Sequence, residues 1–220
     1  MIGHDFAFGV YAPLTKSRHS LSFRAASPNT RLFAFPNMVH AESSTFAAGL
    51  AKADVYAQVL EQAKALMDGQ RNWRLIVRVL KVCNTANVAS LLWHAFHSLP
   101  APSSAVNWAG FYVLDPSTPE QLILGPFQGM VACQTIRFGK GVCGAAAASQ
   151  QTQLVPDVEK FPGHIACDGA SKSEIVVPIV QKGKTVAIID IDCAELEGFD
   201  EEDKKYLEEL AALLAGACDF

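Results

Sequence analysis

The chain has 220 residues, half of them hydrophobic and 18% charged, which suits a soluble globular protein with one sizeable domain and extensions. Its 18 basic and 22 acidic residues give a net charge of −4 with no basic patch, which argues against a nucleic-acid partner, and no apolar run is long enough to span a bilayer. The six cysteines are too few for a disulfide scaffold and lack the C-x-x-C pairing that favours zinc, and no secretory signal is apparent, so a reducing, cytoplasmic compartment is expected.

Residues 1–43 read as an extension ahead of the domain. The stretch holds Asp5 and one further acid, Glu42, against Lys16, Arg18, Arg24 and Arg31, and is rich in serine. That composition suits an organelle transit peptide; the other reading is a disordered tail. The domain itself is expected over 44–220. From Ser44 to Met67 the pattern is helical: Val55, Val59, Leu60, Ala63 and Leu66 fall on one face, Ser44 is placed to cap the start and Gly69 to end it. Asn84 to Leu99 repeats the pattern and is closed by Pro100. Between them Arg74 to Cys83 (RLIVRVLKVC) alternates apolar and basic residues, as a short strand or a continued helix would.

Strands are expected at Asn107–Leu114, Gln121–Gln128 and Val131–Phe138, with a turn at Pro116, Ser117 and Pro119. Gly139 and Gly141 break the chain before a small-residue helix, Cys143–Ser149, and a short strand, Thr152–Val155. Gly139-Lys140-Gly141 lacks the spacing of a phosphate-binding loop. Asp157 to Ser173 is a long irregular stretch, of the kind that carries function. Glu174–Val180 and Thr185–Ile191 form a hairpin, and Asp200 caps a last helix whose first turn is acidic. Helices, then strands joined by turns, then a helix make an α+β domain with a largely antiparallel sheet.

The chemistry concentrates between Leu124 and Cys193, which holds four of the six cysteines. Cys133, Cys143 and Cys167 can be gathered at one cavity by strand, loop and helix ends. They could be core, metal ligands completed by His164, or a thiol pair in which one attacks and another resolves; spacing does not choose among these. Cys167 has His164 three residues away to aid ionisation and Asp168 beside it to oppose it. Glu174 opens its strand, and Asp190 and Asp192 alternate with Ile189 and Ile191, so both acids point to one side. Such a cluster can bind a cationic amine and keep one acid protonated near neutral pH. A solvated polar face is the alternative.

NWAGFY, LGPFQG, GVCG, GHIACD, SEIVVP and IIDID, in this order, resemble the free methionine-(R)-sulfoxide reductases, which are built on a GAF domain; the resemblance covers Ser44 to Phe220. It implies a GAF-like fold with a central six-stranded antiparallel sheet flanked by helices, and a homodimer. It implies an enzyme that reduces free methionine-(R)-sulfoxide with no metal and no organic cofactor. Cys167 corresponds to the nucleophile, with Cys143 its rival, and Cys133 and Cys143 to the resolving and recycling cysteines. Glu174, Asp190 and Asp192 correspond to the substrate-binding acids, and Trp108 and Tyr112 to aromatic positions near the pocket. Thioredoxin is the expected reductant. A non-catalytic GAF sensor of a small ligand is the second reading. Two segments depart from the pattern: the N-terminal extension, and an unusual insert at 74–83, either a true insertion or retained non-coding sequence. Cys83, Cys193 and Cys218 match no redox motif.

Overall fold

The computed structural model describes residues 45–68, 80–165 and 169–220, all within the second of the chain's two compact units, Val39–Phe220. Four α-helices are described: α1 (Lys52–Met67), α2 (Leu80–Ser98), α3 (Gly141–Ser149) and α4 (Glu201–Ala217). Six strands are described: β1 (Val106–Leu114), β2 (Gln121–Gly129), β3 (Thr135–Arg137), β4 (Gln153–Val155), β5 (Ser173–Gln181) and β6 (Lys184–Cys193). The sheet order is β3-β2-β1-β6-β5-β4 and every neighbouring pair is antiparallel. The α+β architecture with a six-stranded antiparallel sheet expected from the sequence is therefore the observed one.

The two faces of the sheet follow from the two-residue period of a strand. Ala109, Phe111 and Val113 of β1, Ile175, Val177 and Ile179 of β5, and Ala187, Ile189 and Ile191 of β6 meet the apolar faces of α1, α2 and α4. The intervening residues, Trp108, Tyr112, Val176 and Ile188, pack with Val142, Cys143, Ala146 and Ala147 of α3 on the other face. Both faces of the central strands are covered, which is why β1, β5 and β6 read as almost unbroken apolar runs. No helix among the described residues is long and apolar enough to cross a membrane.

The last helix starts as expected: the Asp200 side chain accepts from the backbone N–H of Glu202 and Asp203, and the Asp203 side chain accepts from the Asp200 N–H. Asp203 then does a second task. Its buried carboxylate accepts from Tyr56 Oη at 2.8 Å and pairs with Lys52 Nζ at 2.7 Å, tying α4 to α1.

Several boundaries differ from expectation. The first helix begins at Lys52, and Ala51 at its N-cap supplies no side-chain bond. Buried Phe46 and the left-handed turn at Gly49 (φ +82°) occupy the preceding residues; Ser44 and Gly69 lie outside the described residues. The strand expected over Val131–Phe138 is cut to Thr135–Arg137, because the carbonyls of Met130 and Cys133 are taken by side chains rather than by a ladder. The irregular stretch after Asp157 contains a 3-10 turn, Val158–Lys160, capped by the Asp157 side chain. Of the 74–83 segment, Leu80–Cys83 forms the first turn of α2, as a continued helix would; residues 74–79 lie outside the described residues.

Candidate active site

Strand register assembles the acids. Glu174 on β5 is paired with Asp192 on β6, and Val176 with Asp190. On the other side of β6, Trp108 is paired with Asp192, Gly110 with Asp190 and Tyr112 with Ile188. Three acids and two aromatic rings thus share the α3 face of three adjacent strands. They line a cavity of about 240 Å³ together with Cys133 and Cys143.

Gly110 makes the aromatic wall possible. A Cβ there would meet Phe127 Cβ and would lie 2.7 Å from Trp108 Cη2. Without it, Trp108 stacks on Phe127 with centroids 5.2 Å apart and on Tyr112 at 5.9 Å. Both rings are tied at their polar ends. Trp108 Nε1 donates to the Met130 carbonyl at 3.1 Å, and Tyr112 Oη to the Cys133 carbonyl at 3.0 Å. The wall of the cavity therefore also fixes the segment that carries Cys133.

Cys143 arrives from the first turn of α3. That helix can approach β3 because Gly144 has no side chain; a Cβ at that position would strike the Arg137 carbonyl. The Cys143 thiol donates to Glu174 Oε1 at 3.5 Å. Oδ1 of Asp190 is buried with no hydrogen-bond partner. Donor atoms of Cys143, Glu174 and Asp190 all lie within 4.8 Å of one another, and this is the cluster that could hold a metal ion among the described residues.

Burial dominates the electrostatics. It raises Glu174 well above the carboxylate range, helped by the negative charges of Asp190 and Asp192. It raises Asp190 to about 6. It also pushes the Cys143 thiol well above its ordinary value, with Asp190 and Glu174 adding to the effect. Burial thus favours the protonated form of Glu174 and disfavours the thiolate of Cys143 beside it.

Seven of the eight site residues expected from the sequence meet at this cavity: Trp108, Tyr112, Cys133, Cys143, Glu174, Asp190 and Asp192. Cys167 lies outside the described residues. Cys133 is disulfide-bonded, whereas Cys83, Cys143, Cys193 and Cys218 are in no disulfide. Of these four, only Cys143 lines the cavity. Two cationic side chains that line it, Arg137 and Lys140, were not singled out as site residues from the sequence. Their signal in the sequence is the basic-glycine run RFGKG ahead of the small-residue helix.

A GAF domain model matches residues 85–219. The chain is 53% identical over 182 residues to the free methionine-R-sulfoxide reductase of Saccharomyces cerevisiae, covering 82% of this chain and 95% of the relative. It is 40% identical over 163 residues to the Escherichia coli protein of the same name, covering 74% of this chain and 88% of the relative. The Neisseria meningitidis free methionine-R-sulfoxide reductase, solved in complex with its substrate, superposes with a TM-score of 0.67 at 40% identity, over 79% of this chain and 93% of that one.

Proposed function

The chain belongs to the GAF-domain family of free methionine-R-sulfoxide reductases, and from that membership we propose how its own residues reduce free methionine-(R)-sulfoxide to methionine. The observation that carries the proposal is a cluster of two buried acids, Glu174 and Asp190, and half-buried Asp192 beside Cys143 and Cys133 in one cavity of single-amino-acid size.

The α-ammonium of the substrate pairs with Asp190 and Asp192, where Asp190 Oδ1 supplies an acceptor with no internal partner. A residue within a peptide chain has no such ammonium, so the pocket selects the free amino acid. The α-carboxylate is met by Arg137 or Lys140. The S-methyl end of the sulfoxide lies along the Trp108 ring.

The thiolate of Cys167 attacks the sulfoxide sulfur. Glu174, kept protonated by burial, delivers a proton to the sulfoxide oxygen as its bond to sulfur breaks. The oxygen ends as hydroxyl on Cys167 Sγ as the transient bond between the two sulfurs breaks, so that two electrons pass from the cysteine to the substrate, giving methionine and a Cys167 sulfenic acid. The Cys133 thiol then displaces water from the sulfenic acid to form a disulfide. Thioredoxin, as an external dithiol, restores both thiols by exchange. The disulfide-bonded state of Cys133 supports its part as the resolving residue. The buried, high-pKa thiol of Cys143 favours Cys167 over Cys143 as nucleophile, and suits Cys143 to an accessory part in recycling. We place this cycle in the cytoplasm and in a homodimer, with no metal or organic cofactor.

The test is thioredoxin-coupled NADPH oxidation with free methionine-(R)-sulfoxide, against the S epimer and an N-acetylated analogue. Turnover of the free R form alone is expected. Absence of turnover from folded, fully reduced protein would favour a ligand-sensing GAF domain instead.

A further inference from the structure

We propose that Cys143, Glu174 and Asp190 form a binding site for a zinc ion, which takes the place of the substrate ammonium group and inhibits the enzyme reversibly. The ion is an inhibitor in this proposal, not a cofactor. Its inhibitory effect rests on the reductase reading; its binding does not.

Three observations carry it. First, the donors are one sulfur and two carboxylates, all buried, from three separate rigid elements: α3, β5 and β6. Three protein ligands facing an open cavity are the pattern of a zinc site with an exchangeable fourth position. Second, the spacing fits. Bonds of about 2.0–2.3 Å in a tetrahedron put neighbouring ligand atoms roughly 3.3–3.8 Å apart. Cys143 Sγ and Glu174 Oε1 are 3.5 Å apart, and all the donor atoms lie within 4.8 Å. Small rotamer adjustments of the two carboxylates close the remaining distance. Third, Asp190 lines the cavity, and its Oδ1 is buried without a hydrogen-bond partner. A buried acceptor with no internal partner is a position for a ligand.

The donor chemistry chooses the ion. A thiolate disfavours magnesium and calcium, which take oxygen ligands, and suits zinc, a borderline-soft ion at home with mixed sulfur and oxygen donors. A divalent cation also relieves the repulsion among groups held close in a dry site. Arg137 and Lys140 line the same cavity but are exposed, so solvent screens their opposition.

The experiment titrates the reduced full-length chain with zinc ion alone, in competition with a chromophoric chelator, and repeats the titration with cobalt(II). One equivalent of zinc is expected, together with a thiolate-to-cobalt absorption band. Glu174→Gln and Asp190→Asn should each weaken zinc binding at least tenfold, Cys143→Ser should abolish the cobalt band, and the double variant Cys133→Ser, Cys167→Ser should retain both. Near-ultraviolet circular dichroism checks that each variant is folded. In the double variant, which lacks the reacting thiols and does not consume it, free methionine-(R)-sulfoxide should raise the apparent zinc dissociation constant in proportion to its concentration. Absence of stoichiometric binding or of the cobalt band in the wild-type chain overturns the site. So does loss of binding in the double variant, which would place the ion on other thiols. Binding that substrate does not displace overturns the inhibitory role. Zinc binding as described without sulfoxide turnover would leave the site standing and remove the reductase reading; turnover without zinc binding would do the reverse.

Discussion

Tyr112 donates its phenolic hydrogen to the carbonyl oxygen of Cys133 at 3.0 Å, so a residue at the centre of the sheet holds the backbone of the cysteine proposed to resolve the sulfenic acid. The phenol is buried, and burial together with the nearby acids keeps it neutral and able to donate. Its neighbour Trp108 makes the equivalent bond to Met130, three residues earlier. Removing the Tyr112 hydroxyl should therefore affect recycling more than the first chemical step. In Tyr112→Phe, a stability loss of about 1 kcal/mol is expected. Steady-state turnover with thioredoxin should fall several-fold, while the single-turnover yield of methionine from pre-reduced protein stays near one equivalent. Rapid-quench and coupled assays on the same preparation would separate the two.

The three cysteines of the cavity region should give three different failures. Cys167→Ser should form no methionine even in a single turnover. Cys133→Ser should form one equivalent and stall as a sulfenic acid that dimedone traps, visible as a mass adduct on Cys167. Cys143→Ser should retain the first equivalent and lose part of its steady-state rate. An adduct on Cys143 in the Cys133→Ser variant would reverse the assignment of the nucleophile.

Glu174→Gln keeps the shape of the buried acid but removes its proton-donor function. Turnover is expected to fall by about 10²–10⁴-fold with the fold retained. An effect confined to KM would mean that Glu174 only holds the substrate and that the proton comes from elsewhere.

Asp190 links the site to stability. Its folded-state value is raised to about 6 from an ordinary 3.8, so the folded chain binds more protons than the unfolded one across that interval. Stability contributed by this residue is highest below pH 4 and falls as the pH rises to about 6; Glu174 acts in the same direction. Asp190→Asn removes the effect. Thermal unfolding should show the variant gaining on the wild type between pH 4 and pH 7, by on the order of 1–3 kcal/mol at the upper end. Activity should be lost at the same time, because the ammonium ligand is gone. A constant difference across the range would mean that Asp190 titrates as an exposed acid.

Much of this site could be read from the chain because it rests on local periodicity. The alternation of Asp190 and Asp192 with Ile189 and Ile191 put both acids on one side, and the hairpin register brought Glu174 opposite Asp192. The final helix, capped by Asp200, was equally local. What could not be read was set by contacts distant in sequence. The strand after Met130 is short because Trp108 and Tyr112, more than twenty positions earlier, capture its carbonyls. Arg137 and Lys140 join the cavity because Gly144 lets α3 settle against β3, and no pattern within RFGKG reveals that approach. Asp203 looked like one of three acids favoured at a helix start; its buried pairing with Lys52 needed the fold to bring α1 beside α4.

That pairing carries a further expectation. The Lys52 side chain is 19% exposed and that of Asp203 is fully buried. Lys52→Met should leave the Asp203 charge without its cation and cost about 3 kcal/mol, read as a shifted urea midpoint with an unchanged slope. Asp203→Asn added to it should recover part of the loss.

Helix α1 ends at Met67, well before the matched GAF region starts at residue 85. It nevertheless inserts Val55, Tyr56, Val59, Leu60, Ala63 and Met67 into the interior. The stretch matched by the GAF domain model is thus shorter than the unit that packs around one core. A fragment trimmed to that stretch would present a greasy flank to water and a stranded carboxylate beneath it. Aggregation of such a fragment would say nothing about its catalytic competence, only that the cut had been made inside the folding unit.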